Sequence, residues 1–252
     1  MMMSTAAAAG ERVNDWFEEW FGEEYLWAYP QRDVRDAQRA ADLIESHVRL
    51  PRGAPALDLA CGSGRHQRIL CERWWTVGLD LSPSMLRVAR GRDGDAPLVR
   101  ADMRRLPFRA DSFDLVVNLF TSFGYFRDDA QHQRVVAEVA RVTRPRGWLV
   151  LDYLNAAHVR ATLVPHSERV VRDREIEEER LVTADGRFVV KTITLGDLGR
   201  TYVERVRLFT PMELTAMLDS GGFAVTQTYG DYDGGVLRDD SPRAILISRR
   251  TS

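Results

Sequence analysis

The sequence is poor in the features that define secreted, membrane-bound and metal-binding proteins. It has only two cysteines, Cys61 and Cys71, and their spacing matches neither a disulfide framework nor a zinc or iron–sulfur motif. No hydrophobic run approaches the roughly 20 residues of a membrane-spanning helix. Residues Met1 to Gly10 lack the basic start and the long apolar stretch of a signal peptide. We therefore expect a cytoplasmic protein without a metal centre or a membrane partner.

An excess of charge of one sign is also absent. The chain carries 35 basic and 37 acidic residues, for a formal net charge of -2. This balance argues against permanent binding to nucleic acid or to a membrane surface. Lys191 is the single lysine, and the bias towards arginine and alanine indicates a GC-rich bacterial genome rather than a function. No linker rich in proline and serine divides the chain, so one substantial α/β core is expected.

What the sequence does contain is an apolar run that ends in a glycine turn. Residues Ala56 to Leu59 lead into Ala60-Cys61-Gly62-Ser63-Gly64, and a helical pattern begins at Arg65. A strand that enters such a turn and then a helix N-terminus forms a nucleotide-sized cleft at the carboxyl edge of a parallel sheet. The dinucleotide fingerprint needs a third glycine where Gln67 stands, and there is no Gly-Lys-Ser/Thr phosphate loop. The pattern thus favours an adenosine ligand without phosphates.

Three further apolar runs end in polar or aromatic residues. The second run ends at Asp80, whose carboxylate suits a ribose diol, although it could also cap the helix that follows. The third ends at Asp102 and Met103, which suit an adenine amino group and the face of its ring. The fourth ends at Asn118 and leads into the aromatic segment 119–126. Since the carboxyl ends of parallel strands meet at one edge of a sheet, these residues predict an adenosine site.

Residues 56–152 resemble the cofactor-binding core of class I S-adenosylmethionine-dependent methyltransferases. The matching stretches are DLACGSG (58–64), GLDLSPSML (78–86), ADMRRLPF (101–108), FDLVVNLFTSFGYF (113–126) and RVTRPRGWLVLDYLN (141–155). The resemblance implies a doubly wound, mostly parallel, seven-stranded Rossmann-like α/β sheet with S-adenosyl-L-methionine (SAM) as cofactor and S-adenosyl-L-homocysteine (SAH) as product. It also implies an enzyme that moves a methyl group to oxygen, nitrogen or carbon of a small-molecule acceptor by in-line displacement.

The resemblance assigns roles to residues of this core. Ala60 would offer its carbonyl to the cofactor amino group, Gly62 and Gly64 would line the methionine part, and Asp58 would order the glycine loop from below. Asn118 and Phe120 would pass near the sulfonium. With two residues of the N-terminal segment, the predicted cofactor-binding residues are Tyr25, Arg32, Asp58, Ala60, Gly62, Gly64, Asp80, Leu81, Asp102, Met103, Asn118 and Phe120.

The N-terminal segment is dense in aromatic residues at nearly helical spacing. We expect a disordered tail over residues 1–12 and a helical lid over residues 13–50, in which Tyr25 and Arg32 face the cofactor and Arg32 meets its carboxylate. An aromatic enclosure would stabilise a sulfonium by cation–π attraction and exclude water. The alternative is a helical segment that only packs against the sheet.

The remaining residues, 51–252, are expected to form the methyltransferase domain, with an insertion over residues 165–209 after the fifth strand. The insertion alternates like β-strands, and Ala184-Asp185-Gly186 and Leu195-Gly196-Asp197 predict hairpin turns. We expect an antiparallel unit that serves as a substrate cap or as a dimerisation element. The sequence leaves both roles, and a homodimer, open.

Catalytic residues carry no recognisable motif. A general base is needed only if the acceptor starts protonated, and the candidates are Tyr125, Tyr153 and His158. Asn155, Asp231 and Tyr232 are further polar residues expected near the mouth of the site. None of them forms a dyad in the sequence.

The acceptor is predicted only by class. The Asn/Asp-Pro-Pro-Tyr/Phe tetrapeptide of enzymes that methylate exocyclic amines in nucleic acids is replaced by Asn118-Leu119-Phe120-Thr121, which makes a nucleic-acid partner unlikely. The segment is more similar to small-molecule methyltransferases, including those that act on sugar amines. Methylation of RNA or protein, compatible with Arg104, Arg105 and Arg109, stays open. So does a non-catalytic regulator that binds SAM.

Overall fold

The computed structural model describes residues 15–30, 34–93 and 95–251, so the predicted tail 1–12 and Arg32 lie outside the described residues. Its helices are α1 (Trp16–Trp20), α2 (Glu23–Ala28), α3 (Val34–His47), α4 (Arg65–Cys71), α5 (Pro83–Asp93), α6 (Asp129–Val142), α7 (Ala156–Thr162) and α8 (Pro211–Ser220). Within the described ranges, no helix combines the length and the apolar character needed to cross a membrane.

The strands form a larger and a smaller sheet. The larger one contains β1 (Pro55–Leu59), β2 (Trp75–Asp80), β3 (Leu98–Arg100), β4 (Phe113–Asn118), β5 (Thr143–Leu154), β10 (Phe223–Tyr229) and β11 (Arg243–Arg250). The smaller one contains β6 (His166–Val171), β7 (Arg174–Val182), β8 (Phe188–Leu195) and β9 (Arg200–Arg207).

The larger sheet has seven strands in the order β3-β2-β1-β4-β5-β11-β10. Strands β1 to β5 are parallel, whereas β11 is antiparallel to both of its neighbours. The strand order reverses between β1 and β4, and ligands of doubly wound sheets bind at the carboxyl ends of the strands at such a switch point. The predicted mostly parallel, doubly wound fold is confirmed.

The central strands are apolar on both faces because helices cover both faces of the sheet. Leu57 of β1 pairs with Val77 of β2 and with Val116 of β4, and all three side chains are buried. Helices α6 and α8 contribute to the core on one face, and α3 and α4 to the core on the other. This packing fixes the strand ends that carry the polar residues.

Gln67, which occupies the position of the missing third glycine, has a packing role. Its buried side chain donates to the carbonyl of Pro97 at 3.0 Å, just before β3. A Cβ atom at Gly78 would lie 2.5 Å from Oε1 of Gln67. A glycine in β2 therefore makes room for the glutamine of α4, which ties this helix to two strand segments.

Two helix starts follow the capping rules read in the sequence. Ser82 accepts from the backbone N–H of Met85 at 3.2 Å, and Pro83 is the first residue of α5. At α8, Thr210 and Glu213 form a capping box.

The insertion forms the smaller sheet as an antiparallel meander, β6-β7-β8-β9. The chain reverses at both predicted turns, around Gly186 between β7 and β8 and at residues 196–198 between β8 and β9. A third reversal, between β6 and β7, was not predicted. There Arg172 and Asp173 adopt left-handed φ values of 49° and 64°. Neither residue is a glycine, so the sequence lacks the usual signal for such a turn.

The described part of the N-terminal segment begins with two short helices, α1 and α2, separated at Phe21 and Gly22. Their buried residues Trp20 and Tyr25 pack with Ile176 and Ile193 of the insertion in one cluster. Helices α1 and α2 therefore pack largely on the smaller sheet, whereas Phe17 and helix α3 belong to the cores of the larger sheet.

Candidate active site

A cavity of about 580 Å³ lies at the carboxyl ends of β1, β2 and β4, at the switch point of the larger sheet. Its volume falls in the range of small-molecule and cofactor sites. The predicted cofactor residues in its wall are Tyr25, Ala60, Gly62, Asp80, Leu81, Asp102, Met103 and Phe120. Asp58, Gly64 and Asn118 do not line it and lie behind the wall, and Arg32 lies outside the described residues.

The glycine loop brings bare backbone to the cavity. Ala60 and Gly62 adopt left-handed φ values of 62° and 55°. A Cβ atom at Gly62 would have no protein atom within 4 Å, so a side chain there would occupy space that a ligand needs. Gly64 has a different role: it precedes α4 with φ 78°, and a Cβ there would lie 3.0 Å from the Cβ of Ala89. This glycine allows α4 and α5 to approach each other.

Asp80 combines the two roles that its sequence position suggested, a cap at the start of a helix and a residue of the cavity wall. One carboxylate oxygen accepts from the N–H of Gly62 at 2.8 Å, and the other accepts from the N–H of Ser82 at 2.8 Å. Burial raises the pKa of Asp80 despite these hydrogen bonds. The carboxylate thus orders the glycine loop and the start of α5, and it also forms part of the cavity wall.

Asp58 and Asn118 support the cavity from behind. Burial and the charge of Asp80 raise the pKa of Asp58 to about 7, and the Oδ2 atom of Asp58 has no hydrogen-bond partner among the described residues. Asn118 donates to the carbonyl of Leu59 at 2.8 Å and so joins the ends of β4 and β1. Asn118 therefore fixes a strand end, while the role predicted for Asp58, to order the glycine loop, stays a prediction.

Asp102 is already paired within the structure. Its carboxylate accepts from Nε and Nη2 of Arg104 at 2.9 and 2.7 Å, and from the backbone N–H of the same residue at 2.8 Å. Arg104 also donates to Gln131 of α6 at 2.7 Å. Asp102 and Met103 both line the cavity at its β3 side. The carboxylate is oriented by this arginine, which sequence reasoning had placed among surface charges.

Aromatic side chains of the N-terminal segment cover the cavity. Phe17, Phe21 and Tyr25 line it together with Tyr125 and Phe126. The Tyr125 ring lies 5.6 Å from the ring of Phe21 in a stacked arrangement. Rings of this kind attract a cationic group and exclude water.

The segment after β4 is strained at two successive residues. Phe120 and Thr121 adopt φ values of 61° and 56°, a region that costs non-glycine residues of order 1–3 kcal/mol each. Asp152, at the end of β5, accepts from the N–H of Phe120 through Oδ2 at 2.7 Å, and from the N–H of Thr121 through its backbone carbonyl at 3.0 Å. The sequence analysis did not single out Asp152. A carboxylate near the end of a strand is the signal that could have found it, as it found Asp80.

Comparison with known proteins identifies the family. A model of the methyltransferase domain matches residues 57–151. The chain is 31% identical to a dTDP-3-amino-3,6-dideoxy-alpha-D-glucopyranose N,N-dimethyltransferase of Streptomyces fradiae over 83% of this chain and 85% of the relative. The chain belongs to the class I S-adenosylmethionine-dependent methyltransferases. The methyltransferase is also 30% identical to a dTDP-3-amino-3,4,6-trideoxy-alpha-D-glucopyranose N,N-dimethyltransferase of Streptomyces venezuelae, over 79% of this chain and 86% of the relative.

Solved structures agree. A SAM-bound amino pentose methyltransferase from Micromonospora echinaspora superimposes with a TM-score of 0.68 and 25% identity, covering 90% of this chain and 96% of that one. A SAM-dependent methyltransferase from Clostridium acetobutylicum has a TM-score of 0.78 at 18% identity, covering 91% of this chain and 98% of that one, which shows the shared fold. The protein is therefore an enzyme whose cofactor is SAM, and the open backbone at Gly62 and the aromatic cover fit that cofactor.

A second cavity of about 360 Å³ adjoins the first. The two share Phe21, Tyr25, Phe120 and Tyr125 as a common partition. The other residues of the second cavity are Trp16, Thr121, Leu154, Val159, Leu163, Arg180, Val189, Lys191, Glu204, Val206 and Arg243. They come from α1, α7, β5, β11, the segment after β4 and the insertion, so the methyltransferase builds this cavity between its two sheets and its N-terminal helices.

Opposite charges are paired in the wall of the second cavity. Nζ of Lys191 lies 2.6 Å from the Glu204 carboxylate and donates to the Tyr29 hydroxyl at 2.9 Å. Trp20 donates to the other oxygen of Glu204 at 2.6 Å. Burial and the charge of Glu204 raise the pKa of Tyr29, which keeps the phenol protonated. The chain's single lysine thus joins the insertion to the N-terminal helices at the second cavity.

The three predicted catalytic candidates have different positions. Tyr125 lines both cavities, and its hydroxyl donates to the carbonyl of Thr121 at 2.6 Å. Tyr153 is completely buried and its hydroxyl donates to the carbonyl of Arg207, so it has no access to a substrate. His158 lies on α7 but lines neither cavity.

The further polar candidates have structural partners. Asn155 caps α7 and donates to the carbonyls of Arg238 and Ser241 at 2.8 and 2.9 Å. Asp231 accepts from the N–H groups of the loop that follows it, at residues 233 and 235. The Tyr232 hydroxyl donates to Asp152 at 2.5 Å. Each of these residues fixes the loop before β11.

Proposed function

We propose that this enzyme methylates the amino group of a sugar carried on a nucleoside diphosphate. The observation that supports this most is the similarity to dTDP-amino-sugar N,N-dimethyltransferases, which extends over 83% of the chain and therefore well beyond the cofactor-binding residues 57–151. The second cavity provides room for such an acceptor beside the cofactor cavity. Three cationic residues in its wall, Arg180, Lys191 and Arg243, suit the hydroxyl and phosphate oxygens of a sugar nucleotide.

For the cofactor, we propose that Asp80 holds the ribose hydroxyls and that Asp102 and Met103 frame the adenine. The backbone at Ala60 and Gly62 would contact the methionine part. Arg65 lines the cavity with its guanidinium 4.6 Å above the Phe120 ring, and it is a candidate partner for the cofactor carboxylate in addition to Arg32. Leu81 would contribute an apolar contact beside Asp80.

The chemistry requires alignment more than acid or base strength. When bound, SAM supplies an activated methyl group on a sulfonium, and the enzyme has to hold the acceptor nitrogen in line with it. The partition of Phe21, Tyr25, Phe120 and Tyr125 is proposed to surround this line and to exclude water. An amine that enters as an ammonium must first lose a proton, and Glu204 is placed in the second cavity to accept a hydrogen bond from it.

The N-terminal lid 13–50 and the insertion 165–209 are proposed to act together as the cap over the acceptor. Contacts between them support this role: Tyr29 donates to Glu178 at 2.6 Å, and Arg169 donates to the carbonyl of Ala28 at 2.7 Å. A homodimer, a cytoplasmic location and the absence of a nucleic-acid partner stay predictions. Steeply salt-dependent RNA binding would favour the RNA alternative.

The test is a methylation assay with SAM and a panel of dTDP-3-amino and dTDP-4-amino sugars, followed by mass spectrometry. We expect one or two added methyl groups on an amino sugar and none on the matching sugar with a hydroxyl in place of the amine. If only the hydroxyl sugar were methylated, the acceptor atom would be oxygen and not nitrogen. If SAH binds but no sugar nucleotide is methylated, the acceptor class is wrong and the cofactor assignment stands.

A further inference from the structure

The partition between the two cavities depends on a backbone conformation that its own residues disfavour. Phe120 and Thr121 both have left-handed φ values, and threonine is β-branched, which makes this region especially unfavourable for it. Phe120 and Thr121 both contribute to the wall of the second cavity, and the Phe120 side chain is common to both cavities. Something outside the segment must therefore impose this conformation.

Asp152 makes the contacts that can impose it. Its Oδ2 atom accepts from the N–H of Phe120 at 2.7 Å, and its backbone carbonyl accepts from the N–H of Thr121 at 3.0 Å. Two consecutive N–H groups are thus held by one residue of β5. Because the Asp152 side chain is completely buried, water does not compete for these hydrogen bonds.

The carboxylate is itself held from two directions. Nε and Nη2 of Arg243 on β11 both donate to it, the second at 2.8 Å, and the Tyr232 hydroxyl donates to it at 2.5 Å. The Arg243 guanidinium also lies 5.3 Å from the centre of the Phe120 ring and lines the second cavity. The ion pair therefore contacts the partition through both its backbone and its aromatic side chain.

We propose that Asp152 is a positioning residue for methyl transfer: supported by Arg243 and Tyr232, it holds Phe120 and Thr121 in the left-handed conformation that aligns the acceptor with the methyl group. This inference rests on the proposed use of the second cavity for the acceptor. Asp152 does not line either cavity and does not touch the reacting atoms. Its effect is transmitted through the backbone of Phe120 and Thr121.

The proposal is tested by rescue with glycine. Asp152→Asn should lower kcat by about a hundredfold, because small displacements of aligned groups have effects of this size, while the Kd for SAH changes by less than tenfold. Adding Thr121→Gly should restore kcat at least tenfold, since glycine adopts positive φ without a steric penalty. Adding Thr121→Ala, the matched control that keeps a Cβ atom, should restore little.

A second readout needs no acceptor. Hydrogen exchange of the amides of Phe120 and Thr121 should become at least tenfold faster in Asp152→Asn, with exchange in β1 and β2 unchanged. Asp114→Asn is the control in the same sheet, because this carboxylate pairs with Arg144 at 2.7 Å near the opposite end of β4. It should leave SAH binding, kcat and exchange at Phe120 unchanged.

Clear outcomes overturn the proposal. Unchanged exchange at Phe120 and Thr121, or equal rescue by alanine and glycine, would exclude positioning through the left-handed backbone. A uniform rise in exchange over all strands would show a merely structural role. Should Asp152→Asn fail to fold, Tyr232→Phe removes one hydrogen bond from the same carboxylate and should change kcat and exchange in the same directions by a few-fold. If no amino sugar were methylated, the hydrogen-exchange result could still be interpreted, because that measurement needs no acceptor.

Discussion

The two cavities are built from different kinds of sequence. The cavity proposed for the cofactor, called the cofactor cavity below, takes most of its wall from the ends of neighbouring strands and from the loops that follow them, between Ala60 and Phe126. The cavity proposed for the acceptor, called the acceptor cavity below, adds residues of α1, α7, the insertion and β11 to the segment after β4 and the end of β5, and these elements are far apart in the chain. The end of a strand can be predicted from a local sequence pattern. A cavity wall that is assembled from distant segments depends on contacts between those segments, and no local pattern predicts such contacts.

The cavities also differ in the arrangement of the charged side chains around them. Behind the cofactor cavity, burial and the charge of the nearby Asp80 raise the pKa of Asp58. At the acceptor cavity, opposite charges meet on adjacent strands of the insertion, as Lys191 of β8 and Glu204 of β9 do at 2.6 Å. The first arrangement lowers stability at neutral pH. The second pair also contacts Tyr29 and Trp20, and through them it joins the insertion to the N-terminal helices.

The largest effect is expected from Asp58, whose pKa is raised to about 7 by burial and by Asp80. A folded-state pKa above the unfolded value means that stability is fully present below the unfolded pKa of about 4 and is lost as pH rises through 7. The loss should be on the order of a few kcal/mol, since each unit is about 1.4 kcal/mol. Asp58→Asn should remove this dependence.

The measurement is the difference in free energy of unfolding between wild type and Asp58→Asn at several pH values from 4 to 8. Taking the difference cancels other groups, above all His132, whose burial lowers its pKa to about 4 and so destabilises the fold in acid. A constant difference across this range would mean that the pKa of Asp58 is not raised in the folded protein. The contrast in charge between the two cavities would then be lost.

The next effect concerns the cofactor. Asp80→Ala removes the proposed ribose acceptor and the hydrogen bonds to Gly62 and Ser82. Charge-assisted hydrogen bonds contribute roughly 1.5–3 kcal/mol, so calorimetric titration should show SAH affinity reduced by about ten- to a hundredfold. Asp114→Ala, remote from the cavity, serves as control and should bind SAH as wild type does. Equal SAH affinity in both variants would contradict the role given to Asp80.

The sequence predicted the larger sheet and eight residues that line the first cavity, whose role in binding the cofactor stays a prediction. The reason for this agreement is local. Asp80, Asp102 and Phe120 follow apolar runs, and strand ends of one sheet converge. It could not show which loop residue faces inward, so Gly64 and Asn118 were predicted as cofactor residues although they lie behind the wall. The second cavity could not be predicted because contacts such as that of Trp20 with Glu204 join residues 184 positions apart in the sequence.

A smaller effect is expected at the acceptor cavity. Lys191→Met keeps much of the side-chain volume but removes the ammonium that pairs with Glu204 and Tyr29. We expect the KM for the acceptor to rise about tenfold, or about 1.4 kcal/mol, with the Kd for SAH unchanged. Thr192→Val, the next residue of β8 and therefore on the other face of the sheet, is the matched control. If Lys191→Met weakened SAH binding as much as it raised KM, the two cavities would not be separate in function.

The smallest effect tests whether the insertion can be stabilised without touching either cavity. Arg172 and Asp173 turn the chain between β6 and β7 with left-handed φ values and line neither cavity. Replacing them by Asn-Gly, the pair preferred in such turns, should raise the free energy of unfolding by roughly 0.5–1 kcal/mol, or Tm by about 1–4 °C. Ala-Ala at the same positions keeps both Cβ atoms and should give no gain. Because the turn lies at the far end of the hairpin from the Lys191–Glu204 pair, acceptor KM should stay at its wild-type value. A change in KM would show that the turn and the acceptor cavity are coupled through the sheet, and that the insertion acts as one rigid cap.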